Sequence, residues 1–133
     1  MKKTQVLRAL YNTYCRIAPS PIDGVGVFAF RDIPKGTNPF QGIENTKWHK
    51  VTLADILSLD PSILRLAKGF FVTRGKFLYV PEEGLNGMNI SFFMNDSDAP
   101  NVGTDDEGDT FYAARDIHAG EELTISYDTI SDI

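Results

Sequence analysis

Glu122-Leu123-Thr124-Ile125-Ser126-Tyr127 alternates as a half-buried strand does. Leu123, Ile125 and Tyr127 share one face, and Thr124 and Ser126 share the other. The pattern therefore puts Tyr127 on the apolar face. A buried tyrosine hydroxyl needs a hydrogen-bond partner. Either a core backbone carbonyl supplies it, or the hydroxyl faces a lined cavity. Other chemistry is scarce. His49 and His118 are the only histidines and show no HxxH or HExxH spacing. Cys15 is the only cysteine, so neither an intrachain disulfide nor a Cys-based zinc site can form. We read no metal site. The stretch from Asn89 to Asn101 is dense in Asn, Ser, Asp and Pro, yet it carries Ile90, Phe92, Phe93 and Met94. A polar loop with such apolar content is pinned against a core. On the residues alone, Phe92 and Phe93 are core, Asn95 is a turn or cap asparagine, and Gly24 and Gly26 are turn glycines.

The elements that must position these residues are short. A length of 133 residues allows a single domain spanning 1–133. Thirteen Lys and Arg stand against eighteen Asp and Glu, a net charge of −5. That excess of acid argues against direct nucleic-acid binding, which rests on neutralising phosphates, and suits a basic protein or peptide partner. No stretch approaches the roughly 18 apolar residues of a membrane helix. The basic N-terminus, Met1 to Arg8, lacks the apolar core of a signal peptide. These features lead us to expect a cytoplasmic protein. Tyr14–Ala18 and Val25–Phe30 read as strands around a turn at Pro19–Gly24. Residues 52–68 read as the one helical region, with a capping box at Thr52–Asp55 and a second start at Asp60-Pro61 that ends at Gly69. Phe70–Thr73 and Phe77–Val80 read as a hairpin about Arg74-Gly75-Lys76. Gly103–Asp109 reads as an acidic, solvated hairpin tip. One internal echo stands out: Phe28 to Gly36 and Tyr112 to Gly120 share aromatic-Ala-x-Arg-Asp-Ile-x-x-Gly. We expect two similar units, each a strand, a corner and a glycine turn. In each, the Arg and Asp satisfy backbone groups and the Ile tucks beneath.

Three segments together resemble the SET-domain family of protein lysine methyltransferases. Asp23-Gly24-Val25-Gly26-Val27-Phe28-Ala29 looks like its Gly-x-Gly turn. Phe93-Met94-Asn95-Asp96-Ser97-Asp98-Ala99-Pro100-Asn101 is similar to its Asn-His-Ser-x-x-Pro-Asn segment. Arg115 to Tyr127 resembles its closing Gly-Glu-Glu-Leu-Thr-x-x-Tyr strand. The match spans roughly Tyr14 to Asp128. It implies a mainly β, β-clip-like fold of several small sheets with a helical insert at about 44–69. It also implies a C-terminal pseudoknot that brings Asn95 and Tyr127 into one site.

The activity implied is methyl transfer from S-adenosylmethionine to the ε-amine of a lysine in a basic protein or peptide. By resemblance, Tyr127 is the catalytic tyrosine. Val25, Gly26, Phe92, Phe93, Asn95 and Asp96 would bind the cofactor, Val25 and Gly26 through their backbone. An in-line displacement mainly needs positioning, so no Asp, Glu or His base is demanded. The sequence departs from the pattern in three places. Asp96 stands where the family usually has His. Ile125 stands where many members have Phe or Tyr, which leaves the number of methyl groups added open. The Cys-rich zinc segments that often flank the domain are missing. One wall of the lysine channel would then come from residues 130–133, a second subunit in a homodimer, or the substrate. The alternative reading is a binding module that keeps the fold without the chemistry. Minimal stand-alone domains are typical of viral and bacterial members. A viral or intracellular bacterial source would make the host nucleus a second expected location.

Overall fold

The computed structural model describes residues 2–43, 47–70, 73–74, 77–105 and 110–127, with the backbone alone at 68–69 and 73–74. It opens on a helix, α1 (Lys3–Tyr11), which corrects the expectation of a single helical region at 52–68. No residue of α1 is buried, so no core-facing stripe announced it. Its C-terminal end is held from outside. Arg31 donates through Nε to the Thr13 carbonyl at 3.1 Å and through a second nitrogen to the Tyr11 carbonyl, while its guanidinium lies 4.0 Å from the Tyr14 ring centroid. A cation is well placed on the carbonyl end of a helix.

The main sheet starts with β1 (Cys15–Pro19) and β2 (Val25–Ala29), antiparallel with Cys15 opposite Ala29 and Pro19 opposite Val25. The expected strands at 14–18 and 25–30 are these two. Two later strands complete the sheet. One is β6 (Asn95–Asp96), the other β9 (Glu122–Ile125), and the order is β1-β2-β9-β6. β9 is antiparallel to β2 and parallel to β6. Val27 and Leu123 face each other at its centre, both fully buried. They anchor a core with Ile33, Phe40, Met94, Val102, Ala113, Ile117 and Ile125. Cys15 belongs to it too. Its thiol donates to the Pro39 carbonyl, and burial pushes its pKa up to about 12, which makes it a poor nucleophile.

A second, smaller core gathers Ile56, Ala67 and Leu78. It lies between the insert and a three-stranded sheet of β3 (Trp48–Thr52), β4 (Thr73–Arg74) and β5 (Phe77–Pro81), in the order β3-β5-β4. β3 was not expected. It is an edge strand with no buried residue, so it lacks the alternation that marks strands. Helix α2 (Leu53–Leu57) has the expected capping box. Asp55 N–H donates to Thr52 Oγ1 at 3.1 Å, and Thr52 N–H donates to Asp55 Oδ2 at 3.3 Å. Helix α3 (Pro61–Phe70) starts at the expected proline and runs one residue past Gly69. Of the hairpin expected at 70–80, Phe70 belongs to α3, Thr73 and Arg74 pair with Leu78 and Phe77, and residues 71, 72, 75 and 76 lie outside the described residues. The acidic tip expected at Gly103–Asp109 is corrected at its start: Gly103 and Thr104 belong to β7 (Val102–Thr104), paired with β8 (Phe111–Ala113), and residues 106–109 lie outside the described residues.

The internal echo is a pair of corners that clasp each other. Ile33 and Ile117, both fully buried, exchange backbone hydrogen bonds of 2.7 and 2.9 Å. Asp116 Oδ1 accepts from Lys35 N–H at 2.8 Å, and its counterpart Asp32 Oδ1 accepts from Ala119 N–H at 2.9 Å. Gly36 N–H donates to Ala113 O, and Gly120 N–H donates to Ala29 O, at 2.8 and 2.7 Å. Both glycines have positive φ, +88° and +93°, which only glycine adopts freely. Each aspartate therefore satisfies the other corner rather than its own. The clasp delivers the chain into β9 from a fixed start.

One buried asparagine braces β9 against the segment before it. Asn101 is 3% exposed. Its Nδ2 donates to the Glu122 carbonyl at 2.9 Å, and its Oδ1 accepts from Thr124 N–H at 2.8 Å. Asn101→Leu leaves that donor and that acceptor without partners and should cost about 2–4 kcal/mol. Urea unfolding checks this, and a loss under about 0.5 kcal/mol, the range of neutral surface changes, would contradict it.

Candidate functional site

Asn95 sits where the main sheet meets the β1–β2 turn. Its Nδ2 lies 2.9 Å from Glu122 Oε2, 3.1 Å from Ser20 Oγ, and 3.2 Å from each of the Asp23 and Val25 carbonyls. Ser20 Oγ also donates to the Glu122 carboxylate at 2.8 Å and accepts from Ile22 N–H at 3.0 Å. An amide has two hydrogens to give. Four acceptors therefore compete for one NH2 group, and the cluster keeps acceptor capacity to spare.

Neither Ser20 nor Glu122 was singled out from the sequence. Their role depends on pairing across the sheet. Phe28 pairs with Glu122, so Gly26 is a diagonal neighbour on the same sheet face. A Cβ at Gly26 would lie 2.2 Å from Glu122 Oε2, 2.9 Å from its Cδ and 3.1 Å from Ser20 Cβ. Gly26 is thus needed to admit the carboxylate. Gly24, with φ +42° and nothing within 4 Å of its Cβ position, serves the turn itself.

Phe92 and Phe93 belong to a 3-10 turn, Ile90–Phe93, whose start is capped by Asn89 Oδ1 accepting from Ser91 N–H at 2.9 Å. Their rings face different partners. Phe92 packs on Trp48 at a centroid distance of 5.7 Å, beside the smaller core, and Phe93 packs on Phe70 at 6.1 Å, beside the larger one. The pair wedges between the two cores, which bears out the pinned loop and fixes the entry into β6.

Tyr127 corrects the simple alternation. β9 ends at Ile125, and within it Thr124 is buried like Leu123 and Ile125. Ile125 is 2% exposed, but Tyr127, beyond the strand end, is 43% exposed. Its hydroxyl has the first of the two expected partners: it donates to the Met94 carbonyl at 2.6 Å. Its N–H donates to Asp96 Oδ1 at 2.8 Å. The hydroxyl pKa is raised above 10.0, first by burial and then by the Asp96 and Asp23 carboxylates. The hydroxyl therefore keeps its proton at neutral pH, and its oxygen is left to accept.

Asn95 and Tyr127 are accordingly tied through adjacent residues, Met94 holding one and Asn95 being the other. Tyr127 is thus held by the two residues that flank Asn95, its hydroxyl by Met94 and its N–H by Asp96. A family model for the SET domain matches residues 24–128. The chain belongs to the SET-domain family. A search of curated proteins finds no match. Among solved structures, a Plasmodium falciparum protein assigned as a histone methyltransferase is similar at 19% identity, with a TM-score of 0.57, covering 86% of this chain and 93% of that one. An inhibitor-bound, humanized Polycomb Repressive Complex 2 from Chaetomium thermophilum is similar at 19% identity, with a TM-score of 0.60, covering 91% of this chain. The SET-domain chain spans only 16% of the length of that second structure. These likenesses establish the fold: small β sheets with short helices, as the resemblance implied.

The expected pseudoknot and the expected channel wall at residues 130–133 fall partly on residues 128–133, which lie outside the described residues. Among the described residues, no group of three or more His, Cys, Asp or Glu is placed to hold a metal, and no helix is long and apolar enough to cross a membrane.

Proposed function

We propose that this SET domain transfers a methyl group from S-adenosylmethionine to the ε-amine of a lysine in a basic protein or peptide. The observation that supports the reading is that Asn95 reaches the Asp23 and Val25 carbonyls of the β1–β2 turn while Tyr127 donates its hydroxyl to Met94, the residue before Asn95. The acceptor surplus around Asn95 fits the cofactor's ammonium end, which brings three donors. The Asp23 and Val25 carbonyls and the Glu122 carboxylate would hold it, with the Phe92–Phe93 turn as the wall behind Asn95. The cofactor, when bound, supplies a methyl group made electrophilic by a positively charged sulfur.

The chain's part is positioning. The lysine must arrive neutral, since an ammonium has no lone pair, and a free lysine has a pKa near 10.4. Apolar surroundings and a nearby positive charge lower that value, and the proton leaves to water. Tyr127 does not remove it: its own pKa is raised, so it holds its proton throughout the neutral range. With that proton committed to Met94, its oxygen accepts from the incoming amine and aims the nitrogen lone pair. The net charge of −5 attracts lysine-rich segments. A second copy of the chain completing the lysine channel remains part of this reading.

Labelled S-adenosylmethionine incubated with a fractionated lysate tests the activity. Label should appear on lysine side chains of basic proteins. Label confined to other residues, or absent from every fraction, would count against it.

A further inference from the structure

Tyr127 lies beyond the end of β9, where a chain is ordinarily free to swing. Here both ends of the residue are tied to one three-residue stretch. Asp96 Oδ1 takes the main-chain N–H at 2.8 Å, and the Met94 carbonyl takes the hydroxyl proton at 2.6 Å. The stretch is itself fixed. Asn95 and Asp96 pair in parallel with Thr124 and Ile125, and Ser97 N–H donates to the Ile125 carbonyl at 3.0 Å. We infer that Asp96 is the positioning residue for Tyr127, its carboxylate fixing the backbone from which the hydroxyl reaches Met94. The inference rests on the catalytic role proposed for Tyr127.

The residue type suits the task. An ionised carboxylate only accepts, and what it is offered is a backbone N–H. Such a charge-assisted bond is roughly twice as strong as a neutral one. The resemblance assigned position 96 to the cofactor, with His as the usual residue. In this chain the side chain is spent on the tyrosine instead, which accounts for a carboxylate where an imidazole was expected. Asp96 is exposed, so replacing it disturbs no packing.

Asp96→Ala and Asp96→Asn in the full chain separate the possibilities. In Asp96→Ala, the Tyr127 amide should exchange with solvent at least about tenfold faster, the amides of Val27 and Leu123 staying as protected as before. The methyl-transfer kcat should fall about 10–100-fold, with the KM for S-adenosylmethionine changing less than about threefold. Asp96→Asn keeps an acceptor oxygen and should recover most of both losses. An unchanged Tyr127 exchange rate in Asp96→Ala would overturn the inference. So would an Asn variant as impaired as the Ala variant, or a loss confined to the cofactor KM. The exchange measurement needs no turnover. An inactive wild type with a protected Tyr127 amide would remove the catalytic reading while leaving the clamp in place.

Discussion

Tyr127→Phe should lower methyl transfer by about 10²–10³-fold, the range seen when one preorganised polar contact to a reacting centre is removed. The substitution takes away a single oxygen. That oxygen is the acceptor that would hold the lysine nitrogen, and its proton is the one donated to Met94. The fold should survive, because the ring is 43% exposed and one lost hydrogen bond costs about 1 kcal/mol. Steady-state transfer to a basic protein, measured beside a thermal melt, checks both halves. Unchanged activity would remove Tyr127 from the mechanism. Since its pKa is raised above 10.0, the wild-type profile should show no ionisation of this group between pH 6 and about 10.

Asn95→Ala should weaken S-adenosylmethionine binding by about 10–100-fold, because Asn95 fixes the acceptors proposed to hold the cofactor's ammonium and loosening them loses one or two charge-assisted hydrogen bonds. Asn95 is the donor around which the Asp23 and Val25 carbonyls, Ser20 and the Glu122 carboxylate converge. Without it, Glu122 keeps the Ser20 hydroxyl but loses its second donor, and the β1–β2 turn loses its link to β6. The loss should fall on cofactor affinity more than on kcat at saturation. Calorimetric titration of the variant measures it, and wild-type affinity would show that the cluster is a structural tie alone.

Much of this could be read from residue order, and the misses have physical causes. The likeness of the Asn-rich segment and the closing strand to the SET family implied that Asn95 and Tyr127 share a site. The apolar content of 89–101 announced that its loop is pinned, and Phe92 and Phe93 do sit between the two cores. The echo announced two related corners. What it could not show is that each Asp serves the other corner, since reciprocity is a property of space rather than of either segment. Helix α1 and strand β3 were missed because they bury no residue, and burial is what imprints period on a sequence. Tyr127 was placed in the core by extending an alternation past the strand's end, where the chain leaves the sheet. Glu122 and Ser20 escaped notice because their role arises only when Gly26 opens a space on the same sheet face.

In the function proposed, the cluster around Asn95 and Tyr127 is a cofactor site in a working SET domain. Calorimetric titration of the wild-type chain with S-adenosylmethionine, and with its demethylated product, tests it most directly. We predict saturable binding at one site per chain by both ligands. No binding of either at about 1 mM, the weak end of useful affinity, would contradict it.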